Sequence, residues 1–361
     1  MSISEAQVQA ALKQLVDPNT GTDFVTSRSA RNIRVSGGDV SVDIELGYPG
    51  KSQFEPIRKQ VVEALREAGA TAATVNVTSK VVAHAVQKGV KLVPGIKNII
   101  AVASGKGGVG KSTTAVNLAL ALAAEGASVG MLDADIYGPS QPMMLGIAGH
   151  PESKDGKSLE PMEGHGIQAI SIGFLIDMDT PMVWRGPMVT QALEQLLKDT
   201  RWRDLDYLVV DLPPGTGDIQ LTLAQRVPVT GAVIVTTPQD IALLDARKGL
   251  KMFEKVGIPI LGVVENMSIH ICPNCGHESH IFGSGGADKM CADYGTELLG
   301  QLPLDAAIRE QADSGRPTVV AEPDGRVAEV YRKIARRCAV KIADAQRDMS
   351  SKFPNIVVQN T

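Results

Sequence analysis

Nine consecutive residues, Gly105-Lys106-Gly107-Gly108-Val109-Gly110-Lys111-Ser112-Thr113, carry the spacing Gly-x-x-x-x-Gly-Lys-Ser that suits the cradling of phosphates. Glycines there let backbone N–H groups turn inward around phosphate oxygens, and a helix beginning at the end of the run adds a potential that favours anions. Lys111 is placed to reach the terminal phosphates, and the Ser112 hydroxyl to ligate Mg²⁺. The chemistry predicted is binding and hydrolysis of ATP. Lys106, just after the first glycine, makes this the deviant Walker A form. Its functional reading is that of an arginine finger reaching the nucleotide of a facing subunit; the plainer reading is a solvated loop residue.

Acidic residues complete the predicted site. Asp211 ends the apolar strand Tyr207-Leu208-Val209-Val210, where a carboxylate beside the phosphate loop would hold magnesium through water. The turn-forming stretch Pro213-Pro214-Gly215-Thr216-Gly217-Asp218 reads as a switch loop whose Gly215 N–H senses the γ-phosphate. Asp133 and Asp135 close another strand, and Asp135 is the one read as orienting the attacking water, against the alternative that both are caps or turn acids.

Cys272-Pro273-Asn274-Cys275 is spaced to bite one metal or one edge of a cluster. Three readings stand side by side: an iron–sulfur cluster completed by a second subunit's pair, a zinc set with His277 and His280, and a merely structural or redox pair. Cys291 and Cys338 each fall on a predicted helix and read as packed residues.

The elements that must hold these groups fall into two regions. Residues 1–92 read as a small α+β domain: a helix from Ser4 to Leu15, a hairpin built from 33–35 and 40–46, a helix from Phe54 to Ala68 and a strand at 73–77. Residues 93–97 read as the end of a linker. From Asn98, apolar strands at 99–104, 129–133, 167–172, 207–211, 232–236 and 260–264 alternate with helices, which predicts an α/β domain over 98–350 with a mostly parallel sheet covered on both faces. A last helix over roughly 326–347 packs by its apolar face, and 351–361 reads as a tail. Among 361 residues, 36 Lys and Arg against 40 Asp and Glu give a net charge of −4, which excludes a protein that coats nucleic acid. With neither a secretory leader nor a membrane span in the sequence, the expected location is cytoplasmic.

The phosphate loop, Asp-Ala-Asp-Ile-Tyr-Gly-Pro-Ser from Asp133, Trp184-Arg185-Gly186-Pro187-Met188, Asp-Leu-Pro-Pro-Gly-Thr-Gly-Asp from Asp211, and Glu265-Asn266-Met267-Ser268 ahead of the cysteine pair together resemble the Mrp/ApbC iron–sulfur carrier ATPases. That family sits in the wider class of MinD, ParA and nitrogenase iron protein, and the resemblance runs from about Asn98 to Val340. It implies a homodimer that binds a [4Fe–4S] cluster between subunits through Cys272 and Cys275. Clusters would pass from assembly scaffolds to recipient apoproteins, with no nucleic-acid or membrane partner. The resemblance makes Lys106 the signature lysine, Asp135 the water-orienting acid, Asp211 the Walker B acid and Asn266 an adenine contact. Residues 1–92 look like the small domain that also occurs alone in iron–sulfur assembly systems, although Gly47-Tyr48-Pro49-Gly50-Lys51 stands where that domain often has a cysteine. The alternatives are a MinD/ParA-type positioning ATPase with a zinc or structural Cys pair, and a small-molecule kinase or synthetase.

Overall fold

The computed structural model describes residues 3–84, 90–176 and 186–351. Trp184 and Arg185 of the motif quoted above, and the tail after Ser351, lie outside the described residues. The chain divides into two compact units, residues 1–82 together with 339–361, and residues 83–338.

In the first unit, α1 (Glu5–Lys13) starts at a capping box in which Ser4 Oγ accepts from Gln7 N and the Gln7 side chain accepts from Ser4 N, so two orphan donors of the first turn are satisfied. The hairpin of β1 (Ala30–Ser36) and β2 (Asp39–Leu46) is antiparallel. After α2 (Phe54–Glu67), β3 (Ala72–Ser79) returns parallel to β2. Alternation along β2 puts Val40, Val42, Ile44 and Leu46 on the buried face, and helical spacing puts Ile57, Val61 and Leu65 of α2 in the core. The loop after β2 buries Tyr48, whose hydroxyl bonds the Asp17 carboxylate at 2.9 Å.

The second unit runs β4 (Ile96–Ala103), α3 (Lys111–Ala124), β5 (Val129–Asp133), α4 (Gln141–Met144), β6 (Met162–Gly164), β7 (Ile167–Ser171), α5 (Gly186–Asp199), β8 (Leu205–Asp211), α6 (Asp218–Arg226) and β9 (Gly231–Thr236). It continues with α7 (Asp240–Lys255), β10 (Ile260–Ile271), β11 (Glu278–Ser279), α8 (Gly286–Tyr294), β12 (Leu298–Pro303), α9 (Ala306–Asp313), α10 (Thr318–Ala321) and the first half of α11 (Arg326–Ser351), whose residues from 339 onward belong to the first unit. Its sheet has the order β11-β10-β9-β4-β8-β5-β7-β6, with β12 also paired to β10. The pairs among β4, β5, β7, β8, β9, β10 and β12 are parallel, while β6 and β11 add short antiparallel edges. Every residue of β5 and β9 is buried, as strands covered by helices on both faces require. The expected α/β class is what the chain forms, as a P-loop NTPase sheet.

Several elements differ from expectation, the short edge strands β6 and β11 among them. The strand predicted to end at Val264 continues to Ile271, because Glu265, which breaks the apolar run, is fully buried with partners: it accepts from Ala287 N at 3.1 Å and from Gln301 Nε2 at 2.9 Å. A further strand, β12, was not anticipated, since Leu298-Leu299-Gly300-Gln301-Leu302-Pro303 is short and interrupted by glycine and glutamine. Among the described residues no helix is long and apolar enough to cross a membrane.

Candidate functional site

In an open parallel sheet, ligands bind outside the carboxyl ends of the strands. Here β4 lies between β8 and β9, and its carboxyl end feeds the phosphate loop into α3. Gly105 packs so closely on α7 that a Cβ there would strike the backbone of Asp245 and Ala246. Gly110 caps α3 with φ +82°, a conformation costly for any residue with a Cβ, and its missing side chain leaves room for the Asn266 amide. Gly107 and Gly108 are exposed, Val109 is buried, and Thr113 lies in the first turn of α3.

Lys111 turns back from α3 into a nest of carboxylates. Its Nζ lies 2.5 Å from Asp211 Oδ1, 3.2 Å from Ser112 Oγ and 4.0 Å from Asp135 Oδ2. Lysine and Asp211 side chains are 6% and 0% exposed, so the pair is protected from the screening that makes surface ion pairs weak. Lys106 is half-buried; its carbonyl accepts from Ser104 Oγ, and no ion pair engages its ammonium among the described residues.

The two aspartates after β5 do different things. Asp133 accepts from the backbone N–H groups of Asp135, Ser140 and Gln141 and from the Ser171 hydroxyl, at 3.0–3.2 Å. It therefore organises the loop. Asp135 is only partly buried and faces Lys111, which leaves it free to meet a ligand. Burial raises the Asp135 carboxyl above the usual range, with Lys111 opposing the shift.

Asp133 sits directly across from Asp211 in the β5–β8 ladder, and burial, then the Asp211 charge, push its carboxyl up to about 7. The folded state therefore holds a proton on Asp133 that the unfolded chain releases near pH ~4, so the contribution of this group to stability is fully present below about pH 4 and is lost as pH rises from about 4 to about 7. The thermal midpoint of the wild type is expected to fall between about pH 5 and about pH 7.5, with a shallower fall in Asp133→Asn. Identical slopes in melts of the two proteins would refute the assignment.

The predicted switch loop is seated against the phosphate loop. Gly215 N–H, read from sequence as a γ-phosphate sensor, donates to Ser104 O at 2.9 Å. That sensing role requires this bond to break. Gln220 of α6 holds the loop from below by donating to the carbonyls of Pro213 and Pro214.

Beside Gly108, Gly110 and Thr113 opens a cavity of about 680 Å³, walled by Asn266, Met267 and His270 of β10, by Pro303 and Leu304, and by Ile308 and Arg309 of α9. An apolar lining with a few polar groups suits a nucleobase. Asn266 Nδ2 donates to Val109 O at 3.0 Å, so the residue expected at the adenine also braces the phosphate loop.

At its far end β10 pairs with β11, and the turn between them carries the cysteines. Cys272 N donates to His277 O at 3.0 Å and Gly276 N to Cys272 O at 2.9 Å, closing a tight knuckle. Backbone N–H groups of Cys275 and Asn274 hold the Cys272 thiol below its ordinary value. Cys272 is half-buried and Cys275 exposed, whereas Cys291 and Cys338 are buried in α8 and α11 as expected. The zinc set with His277 and His280 does not assemble: among the described residues no three His, Cys, Asp or Glu side chains are grouped to hold a metal. A His280 ring nitrogen is instead 2.8 Å from Ser268 O.

Sequence reasoning missed Gln141. Its side chain is 1% exposed and bonds both Asp211 and the Ser112 carbonyl. No sequence signal marks it, since Ser140-Gln141-Pro142 at the start of a helix of only four residues reads as a loop.

Comparison with known proteins agrees with this geometry. Residues 95–339 match the ParA family model described as NUBPL iron-transfer P-loop NTPase, and residues 5–78 match that of the iron–sulfur cluster assembly protein. A relative from Escherichia coli strain K12 named iron-sulfur cluster carrier protein is 52% identical over 342 residues, covering 93% of this chain and 92% of the relative. The mouse iron-sulfur cluster transfer protein NUBPL is 53% identical over 247 residues, covering 68% and 77%. A solved nucleotide-binding protein from Archaeoglobus fulgidus in complex with ADP is 39% identical, with a TM-score of 0.57 over 64% of this chain and 90% of that one. With the phosphate loop, its acidic partners and the cysteine knuckle in place, this chain belongs to the iron-transfer P-loop NTPases of the ParA class.

Proposed function

We propose that the chain is an ATP-dependent carrier of iron–sulfur clusters. As a homodimer in the cytoplasm, it holds a [4Fe–4S] cluster between the Cys272 and Cys275 pairs of two copies, receives it from assembly scaffolds and passes it to recipient apoproteins. The observation that carries this reading is a single strand: midway along β10 Asn266 bonds the phosphate loop, and six residues further on, just past the end of the same strand, stands Cys272. A nucleotide that moves the loop moves the segment of the strand that leads to the thiolates. Two thiolates per chain are half of a four-cysteine ligand set, which a two-fold axis completes. The names of the Escherichia coli and mouse relatives support the same reading.

The chain's own groups define what ATP meets. Lys111 exchanges Asp211 for the phosphates as they arrive, and the freed Asp211 carboxylate becomes available together with Ser112. These hard oxygen donors suit Mg²⁺, which when bound would neutralise phosphate charge. Asp135 faces the same space and orients water, Lys106 extends toward the facing subunit, and Asn266 contacts the base. The Gly215 N–H leaves Ser104 to follow the γ-phosphate, so hydrolysis resets the switch loop.

Anaerobic reconstitution with iron and sulfide, followed by incubation with an apo acceptor, tests the proposal. About four irons and four sulfides per two chains, with transfer that changes when ATP is added, is the expected result. Stoichiometric zinc without sulfide would overturn it in favour of a positioning ATPase.

A further inference from the structure

Gln141 begins α4 inside the nucleotide site, and its surroundings assign it a task. The backbone is fixed by its N–H donating to Asp133 Oδ2 at 3.1 Å. The side-chain Nε2 bridges Asp211 Oδ2 at 2.9 Å and Ser112 O at 3.1 Å. Both partners only accept at these oxygens, a carbonyl and the carboxylate paired with Lys111, so the NH₂ end of the amide must face them. That orientation leaves Oε1 buried with no hydrogen-bond partner, on a side chain 1% exposed. A buried acceptor without a donor is unfavourable, and native sites supply the donor from water or ligand.

We infer that Gln141 is a positioning residue for the hydrated magnesium of the ATP complex: its NH₂ aims Asp211, and its Oε1 accepts a hydrogen bond from water bound to the metal. The inference rests on the Mg²⁺–ATP reading of Ser112 and Asp211 above. One planar amide then reads two things at once, the carboxylate that faces the metal's water and the backbone of the residue whose hydroxyl ligates it. It also ties both to the loop that carries Asp135, because the Gln141 N–H and the Asp135 N–H share Asp133 as acceptor. When Lys111 releases Asp211 on nucleotide binding, Gln141 keeps that carboxylate from swinging away with the ammonium.

The test is calorimetric titration of ADP and a non-hydrolysable ATP analogue, with saturating Mg²⁺ and with EDTA, on the full-length wild type, Gln141→Met and Gln141→Glu. Methionine keeps the volume and removes both functions; glutamate keeps an acceptor and loses the donor to Asp211. Gln141→Met is expected to lose about 10-fold of the affinity gained from Mg²⁺ while its affinity in EDTA moves less than about 2-fold, the size of one charge-assisted hydrogen bond. Gln141→Glu is expected to lose Mg²⁺ enhancement as well, and it carries the test should the methionine variant not fold. Unchanged Mg²⁺ enhancement in the variants, or equal losses with and without metal, would overturn the role. A wild type that binds nucleotide equally well with and without Mg²⁺ would overturn the metal reading on which it stands.

Discussion

Lys111→Met is expected to reduce ATP hydrolysis by at least about 10²-fold, the size of the loss when one preorganised electrostatic partner of a transition state is removed. The argument starts from the geometry without nucleotide. Lys111 is the cation between two carboxylates, 2.5 Å from Asp211 and 4.0 Å from Asp135. In that state it offsets buried negative charge; in the function proposed above it supplies the same charge to the phosphates of ATP. The substitution therefore acts twice. Removing one partner of a buried ion pair leaves the other uncompensated, which costs about 3–5 kcal/mol. The variant should melt below the wild type, and the deficit should grow as pH rises through the raised titration range of Asp135, whose charge Lys111 no longer offsets. Lys111→Arg is not a rescue, because a planar fork replaces a compact ammonium in a space already bounded by Ser112 and Asp211. Steady-state hydrolysis and thermal melts across pH check both halves. Activity within tenfold of the wild type would mean that the loop is not where ATP is turned over.

Much of this site is legible in the sequence because its residues must be of one kind. Gly110 has to adopt φ +82° and make room for Asn266, so a glycine stands there whatever the surroundings. Asp211 ends a strand that is buried throughout its last five residues, and a charge at such a place announces a partner. The separation of Asp135 from Asp133 was also accessible, but its reason was not: only the fold shows Asp133 collecting four donors and Asp135 left facing Lys111. What escaped were residues whose role depends on register and tertiary packing. Glu265 looks like the end of a strand until Ala287 and Gln301 are brought to it from 22 and 36 residues away. Gly215 N–H is free in any reading of the sequence and is bonded to Ser104 in the fold. Gln141 has no local pattern at all. Long-range hydrogen bonds are invisible to periodicity, and the length of β10, on which the proposed link between nucleotide and cysteines depends, hinges on them.

The Cys272→Ser/Cys275→Ser variant is expected to lose all reconstituted iron and sulfide while its ATP hydrolysis and melting temperature stay at wild-type values. Loss of the metal follows because a hydroxyl does not replace a thiolate as a ligand for iron. Preservation of the rest follows from place: the knuckle is held by backbone bonds, Cys272 N to His277 O and Gly276 N to Cys272 O, which serine leaves intact. Cys275 is exposed, and exposed substitutions shift stability by no more than about 0.5 kcal/mol. Cys291→Ser and Cys338→Ser bracket the result, since both thiols are buried, at 4% and 0% exposure, and their loss should lower stability without touching iron content. The sharpest form of the experiment uses mixed dimers isolated through different tags on the two chains. If one cluster is shared across the two-fold axis, a dimer of one wild-type and one double-variant chain has only two thiolates and should hold under about a tenth of the wild-type iron. If each chain closed a metal site of its own, the same dimer would hold half. Iron counted per mixed dimer thus separates a shared cargo from two private ones, and half-occupancy would end the shared-cluster reading while leaving the ATPase site untouched.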